Sequence, residues 1–376
     1  MRFTRKFKIQ DFITKGRVLV MYGPRRVGKT TLVKQYLDSL NKAIKSVYLT
    51  GDDFDLQDLF RSGSKTKLIN FANQYEAIII DEAQMIPNIG LGVKMIIDEL
   101  PNKNIILTGS SALLLSEEVG SPLLGRHFER KILPISFSDI EGSDFNKKNN
   151  LESLLIYGSY PEILLTNDNS EKEMRLKEIV KSYLFKDAFI KEGIKSSEIL
   201  INIVKTLAFN IGREISLNEI ARNVNTDQKT VIKYIDILEK VFIIKKIYAF
   251  SNNKGNEIRK NVKYYFYDVG IRNAIVSQFQ SLSNRDSKDS GHLFENYIFM
   301  EMYKKEIMKN PYFNEIFFWR NKNGREVDIV IVNNDKVKAF ECKWKDQKVV
   351  FTNFLENYPK AETFVISKEN MEEFLN

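Results

Sequence analysis

Gly23-Pro24-Arg25-Arg26-Val27-Gly28-Lys29-Thr30 fits the pattern G-x-x-x-x-G-K-[ST], and its neighbours decide how it is read. The apolar run Val18 to Met21 precedes it as a strand. Thr31 to Leu37 follows as a helix, with Leu32, Tyr36 and Ser39 on one side. Gly23 and Gly28 let the backbone curl so that its N–H groups face a phosphate, aided by the helix N-terminus. Lys29 then reaches the β/γ-phosphates and the Thr30 hydroxyl ligates Mg²⁺. Residues Gly23, Pro24, Arg25, Arg26, Val27, Gly28, Lys29, Thr30 and Thr31 form the expected nucleotide-binding set, with ATP and Mg²⁺ as ligands.

Ala77-Ile78-Ile79-Ile80-Asp81-Glu82-Ala83-Gln84 reads as a strand buried on both faces and ending in two carboxylates. Such strands belong to parallel sheets, which bind ligands at their C-terminal ends. Asp81 is expected in the Mg²⁺ shell and Glu82 as the group that polarises the attacking water. A third strand, Asn104 to Thr108, runs into Gly109-Ser110-Ser111. Ser110, with Thr108 next, is the candidate γ-phosphate sensor, and a helix cap is the competing role. Arg126, in Leu124-Gly125-Arg126, is either an arginine finger or sensor, or a surface ion-pair residue.

The order of these elements resembles the prokaryotic AAA-type ATPases of the STAND-like group. GPRRVGKT, IIIDEAQ, ILTGSSA, LLGR and the later Tyr157-Gly158-Ser159-Tyr160-Pro161-Glu162 carry the resemblance. It implies a third strand lying between the first two. Tyr160 and Glu162 receive no role from it.

The chain has 376 residues, 43% of them hydrophobic and 28% charged, values of a globular protein with two to three domains of ~150 residues. No apolar run approaches the ~18–20 residues of a spanning helix, and the basic start meets Asp11 before any apolar core, unlike a signal peptide. One cysteine, Cys342, and two histidines argue against disulfides, cysteine zinc sites and a Ser-His-Asp triad. The expected location is the cytosol, with no membrane partner. The formal charge of +8 is uneven: residues 196–285 are net +6 and residues 286–376 net −2. The basic block is where a polyanion surface is expected.

That block also carries a motif. Ser216-Leu217-Asn218-Glu219 fits a capping box opening a short helix, Asn225 to Asp227 makes a turn, and a second helix runs to about Lys240. Val231, Ile235 and Leu238 form its apolar stripe, while Gln228, Lys229, Lys233, Tyr234 and Lys240 occupy its other sides. Two β-type runs follow, Phe242 to Tyr248 and Val262 to Tyr267, around a loop with Lys254, Arg259 and Lys260. Helix-turn-helix plus hairpin is a winged helix, used either on DNA or as a docking lid.

At the end, Gly291 to Lys309 reads as a helix carrying Glu295. Gly324 to Val332 and Val337 to Lys343 form a hairpin turning at Asn334-Asp335. In that register Asp328 stands opposite Glu341, with Cβ atoms ~5 Å apart, and Lys343 points to the same face. Two opposed carboxylates call for a cation. GHLFEN, GREVDIVIV and FECKWK resemble the PD-(D/E)xK nuclease-like domain of the same ATPase family. The resemblance implies a Mg²⁺ or Mn²⁺ ion on Asp328 and Glu341, Glu295 as an accessory acid and Lys343 as the residue that positions water. The acidic block shows no basic groove of its own, which leaves an inactive docking domain as the other reading.

The expected architecture is α/β: a parallel-sheet P-loop core over residues 1–141 and a helical lid or linker over 142–195. A winged helix over 196–285 and a restriction-endonuclease-like domain over 286–376 follow. The expected function is ATP hydrolysis coupled to nucleic acid, with DNA favoured, and with metal-dependent cleavage as the C-terminal chemistry. A nucleotide-gated DNA-binding or protein-interaction regulator is the rival. A homo-oligomer is the candidate assembly, in which Arg126 could act in trans.

Overall fold

Ala77–Asp81 carries no polar side chain before its last position, and all five residues are buried. In the computed structural model it is β3 of a five-stranded sheet, with β1 (Val18–Tyr22), β2 (Ser46–Thr50), β4 (Asn104–Gly109) and β5 (His127–Lys131). The order is β2-β3-β4-β1-β5 and every neighbouring pair is parallel. On one face Val20, Ile78, Ile80 and Leu107 pack with Leu56, Phe60, Leu68 and Val93 from three helices. Leu19, Met21, Ile79 and Ile106, on the alternate positions, are buried as well. A sheet covered on both faces needs such continuous apolar strands. Because β4 lies between β1 and β3, its C-terminal Gly109 emerges between the loop after β1 and Asp81 at the end of β3.

The structure describes residues 1–110, 122–143, 150–182, 196–251, 262–333, 336–345 and 347–376. They divide into two compact units: Arg5–Leu133, which holds this sheet, and Met1–Thr4 with Pro134–Asn376. No helix among the described residues is long and apolar enough to cross a membrane.

The larger unit begins with helices Leu151–Tyr157, Pro161–Leu165, Asn169–Ser182 and Ser197–Phe209. Helices Leu217–Asn223 and Gln228–Lys240 come next, each opened by a side-chain cap. Ser216 Oγ accepts the Glu219 N–H at 3.1 Å, and Asp227 accepts the Thr230 N–H at 2.9 Å. Val231, Ile235 and Leu238 are buried, but so is Tyr234, which the helical spacing assigns to a polar side. The apolar stripe is wider than a surface helix needs. Gln228–Lys240 packs on Ser197–Phe209, Leu217–Asn223 and a strand at once. That strand is β7 (Ile244–Ile247), which with β6 (Glu214–Ile215) and β8 (Val262–Phe266) forms an antiparallel sheet of order β6-β8-β7. The expected wing cations Lys254, Arg259 and Lys260 lie outside the described residues.

A second sheet, of order β12-β11-β10-β9, follows the 23-residue helix Ser287–Lys309. β9 (Ile316–Arg320), β10 (Glu326–Asn333) and β11 (Lys336–Lys343) are antiparallel, and β12 (Glu362–Ser367) runs parallel to β11. The long helix touches β8, β11 and the C-terminal helix Met371–Leu375, and is buried on most of its circumference.

The Gly158-Ser159-Tyr160-Pro161-Glu162 stretch is explained by this packing. Ser159 donates its N–H to Asp268 Oδ2 at 2.7 Å, and Asp268 also caps the helix Val269–Val276. Lys304, on the long helix, donates to Glu301 at 2.6 Å, to the Ile135 carbonyl at 3.0 Å and to Ser159 Oγ at 3.3 Å. Glu301 accepts the Phe137 N–H at 2.6 Å. Tyr160 is fully buried and Pro161 starts a helix, while Glu162 meets Arg175 at 3.4 Å. Gly158 has φ 73° and ψ −163°, and a Cβ there would lie 1.9 Å from Asp268 Oδ1. Gly158→Ala therefore combines about 1–3 kcal/mol of backbone strain with an overlap of similar size. A thermal melt should report a loss of at least ~2 kcal/mol from the two costs together. An unchanged melting temperature would contradict this account.

Candidate functional site

The loop Gly23–Thr30 leaves the C-terminal end of β1 and enters the helix Lys29–Ser39, with Gly28 left-handed at φ 92°. Gly23 has no room for a side chain, since a Cβ would sit 1.9 Å from the Ile132 carbonyl oxygen. Ile132 in turn donates its N–H to Tyr22 O at 2.8 Å, and Arg5 donates to Val27 O at 2.6 Å and Leu133 O at 2.8 Å. The loop is thus held from outside by the strand after it and by an arginine far upstream. Lys29 is buried, and its ammonium donates to the Gly23 and Pro24 carbonyls at 2.8 and 2.7 Å. These are the loop's own oxygens, and phosphate oxygens can take their place. Val27 points into the core, Arg25 is half-buried, and Arg26 and Thr31 are exposed.

Asp81 collects the hydroxyl groups of three elements. Thr30 donates to Oδ2 at 2.6 Å, Tyr48 to Oδ2 at 2.8 Å, Thr108 to Oδ1, and the Glu82 N–H to Oδ1 at 3.0 Å. Burial pushes this carboxyl up, but the hydroxyls of Thr108, Thr30 and Tyr48 outweigh it and hold the pKa below the ordinary value. Tyr48 shifts the other way, raised by its own burial and by the Asp81 carboxylate. Glu82 sits at φ 50° and accepts Gln84 Nε2, which also reaches Ser110 Oγ at 3.4 Å. The two sensor candidates are therefore separated: Thr108 serves Asp81, and Ser110 serves the side of Glu82. Tyr48, Gln84 and Arg5 were not singled out by the motifs. Gln84 closes the quoted IIIDEAQ run, whereas Tyr48 and Arg5 carry no local signal.

Arg126 stands in a surface ion pair, one of the two roles expected of it. It donates to Asp98 at 2.5 Å on the surface, and its carbonyl accepts the Val18 N–H at 2.8 Å. Val18 begins β1 and the phosphate loop follows its end, five residues on. At about 3.3 Å per residue the full strand separates Arg126 from the loop of its own chain.

In the larger unit, β10 and β11 pair Val332 with Val337 and Ile329 with Phe340, so the next position sets Asp328 opposite Glu341. Both line a cavity of about 700 Å³ with Lys343 and Glu295. Asp328 accepts the Cys342 N–H at 2.8 Å. Lys343 donates to Glu341 Oε1 at 2.7 Å, while Oε2 of Glu341 is buried without a hydrogen-bond partner among the described residues. Glu295, Glu326 and Asp328 present oxygens within 4.8 Å of one another. Glu326 was missed from sequence, as were two residues of β8. Tyr265 donates to Glu295, and Lys263 donates to Glu295 at 2.9 Å and pairs with Glu326. The available signal was a lysine inside the otherwise apolar run Val262 to Tyr267.

The cavity borrows Arg213 from before β6, and with Lys288 and Lys345 it is exposed and lacks an acidic partner among the described residues. A groove assembled from two stretches of chain is invisible to a charge count over either.

Burial, with the charge of Glu295, pushes Asp328 up to about 7; burial and the charge of Asp328 push Glu341 up to about 7. Oxygen donors, one of them unpartnered, suit a hard divalent cation.

Residues 15–141 match a family model described as an AAA domain, and residues 148–283 and 290–375 match two domains of unknown function, DUF8612 and DUF4143. An uncharacterized protein of Haemophilus influenzae is 30% identical over 323 residues, covering 80% of this chain and 76% of the relative. One of Methanocaldococcus jannaschii is 26% identical over 381 residues, covering 91% and 82%. Among solved structures, AMPPCP-bound DnaA from Aquifex aeolicus aligns at 19% identity and a TM-score of 0.28, over 59% of this chain and 81% of that one. The smaller unit is an AAA-type P-loop ATPase domain. The whole chain belongs to the family of the Haemophilus influenzae protein.

The raised carboxyls make stability depend on pH. Asp328 and Glu341 keep their protons to about 7 when folded but release them near 4 when unfolded. The folded chain then binds more protons across that window, so stability falls as pH rises through it. Melting temperatures taken between pH ~5 and ~7 should decline in wild type and decline less in Asp328→Asn/Glu341→Gln. Equal slopes would contradict the assignment.

Proposed function

We propose that this chain hydrolyses ATP to control an activity on nucleic acid, DNA in the first instance, and that its C-terminal cavity cleaves phosphodiesters with a divalent ion. The observation that carries the reading is the convergence of Asp328, Glu341 and Lys343 in one cavity whose rim bears Arg213, Lys288 and Lys345. In the ATPase unit, the loop N–H groups and Lys29 bind the phosphates, and Thr30 and Asp81 would hold Mg²⁺. Glu82 takes a proton from the attacking water. In the cavity, Asp328 and Glu341 would hold Mg²⁺ or Mn²⁺, which supplies Lewis-acid polarisation when bound. Lys343 orients a water or a phosphate oxygen, and the rim cations hold flanking phosphates.

Leu217–Asn223, Gln228–Lys240 and the β6-β8-β7 sheet are read as a winged helix, with Lys229, Lys233 and Lys240 on the exposed side. Residues 286–376 are read as the nuclease-like domain. A second reading, a nucleotide-gated regulator with an inactive nuclease-like domain, is favoured by Lys263, which already balances part of the carboxylate charge.

ATP turnover and DNA cleavage, each assayed with Mg²⁺ and Mn²⁺, separate the two readings. Lys29→Ala should lose turnover, and Glu82→Gln should still bind ATP but turn over roughly 10²–10⁴-fold more slowly. Cleavage should disappear in Glu341→Gln and Lys343→Ala. Wild-type turnover in the first pair sinks the ATPase mechanism. Salt-dependent DNA binding without cleavage selects the regulator. Replacing Arg213, Lys288 and Lys345 by Ala should lower the salt slope of DNA binding by up to ~0.9 for each phosphate no longer neutralised.

A further inference from the structure

Lys263 does not come from the domain whose carboxylates it meets. It lies on β8, the central strand of the β6-β8-β7 sheet, opposite Glu214 on one side and Ile247 on the other. Pairing on both edges fixes its Cα, and its stem runs past the Phe318 ring, with the ammonium 5.3 Å from the ring centroid. The side chain is 1% exposed, so no water shell accompanies the charge. The ammonium meets Glu295 at 2.9 Å and pairs with Glu326, two of the three carboxylates whose oxygens lie within 4.8 Å of one another. Three carboxylates at that spacing are the donor set a divalent ion would take. Here a fixed monovalent charge already occupies two of the three.

We propose that Lys263 is a built-in cation that fills one of two adjoining cation positions in the cavity. The chain then takes a single divalent ion, on Asp328 and Glu341, and excludes a second from Glu295, Glu326 and Asp328. The proposal rests on the metal-dependent reading of the cavity. It makes Lys263 a positioning residue. By holding Glu295 and Glu326 away from a metal, it leaves Asp328 free to turn toward Glu341, whose Oε2 lacks a partner. It also ties occupancy of the cavity to the strand that delivers the lysine.

The test counts Mn²⁺ ions bound by the full chain without nucleotide, by equilibrium dialysis, as the number that Asp328→Asn removes. This subtraction cancels any ion held at the phosphate loop. Wild type should lose one ion on Asp328→Asn. Lys263→Met should lose two, and their proximity should give an exchange-coupled electron paramagnetic resonance spectrum absent from wild type. Lys263→Arg, which keeps the charge, should lose one. Two ions lost from wild type on Asp328→Asn overturn the inference without any Lys263 variant, so it stays falsifiable if Lys263→Met does not fold. One ion in folded Lys263→Met also overturns it, and leaves the proposed function standing. No ion in wild type but one in Lys263→Met supports Lys263 as the resident cation and overturns the metal-dependent reading instead. No ion in either overturns both.

Discussion

A charge that is removed from water must be answered inside the protein, and in the larger unit that requirement joins elements distant in sequence. An ammonium without a counter-charge in a dry interior costs several kcal/mol even after relaxation. Lys263 escapes that cost only while β8, the helix Ser287–Lys309 and β10 stay together, because Glu295 and Glu326 come from the last two. Asp268 imposes a similar condition on Gly158-Ser159 and the helix Val269–Val276. The Lys304–Glu301 pair imposes another on Ile135 and Phe137. The long helix takes part in two of these three knots. It therefore carries the acid at the cavity and, further along, the pair that pins the stretch after Pro134.

In the ATPase unit the same economy works on a single carboxylate. Asp81 accepts hydrogen bonds from Thr30, Tyr48 and Thr108, so the helix after the loop and the strands β2 and β4 are all aimed at it. Three hydroxyls keep Asp81 ionised in a buried position, the state in which it can serve a cation. A divalent ion arriving with nucleotide would displace some of them.

Much of this was legible in the chain because it is local. The loop, the β3 run and the β10–β11 register each follow from spacing within a dozen or so residues, and that register opposes Asp328 and Glu341, while the expected turn at Asn334-Asp335 lies outside the described residues. What failed was long-range. Lys263 and Glu326 are 63 positions apart, Arg5 and Leu133 are 128 apart, and no periodicity links either pair. Arg126 kept two readings because its short motif says nothing about which end of a strand it stands beside. Tyr234 was misassigned because helical spacing predicts one apolar face, whereas this helix has neighbours on several sides.

Met1–Thr4 belongs with the larger unit, where Phe3 bridges Ile140 and the Met1 ammonium donates to Leu164 O at 2.7 Å. The chain thus leaves that unit at Arg5 and re-enters it at Pro134. Topologically the ATPase is a guest, inserted into a host and anchored by both of its ends. No single cut separates the two. A fragment starting at Pro134 would leave Ile140 without its bridging partner, and one ending at Leu133 would carry a four-residue piece of the host. Splitting the protein cleanly calls for excision of the guest and a short splice between Thr4 and Pro134.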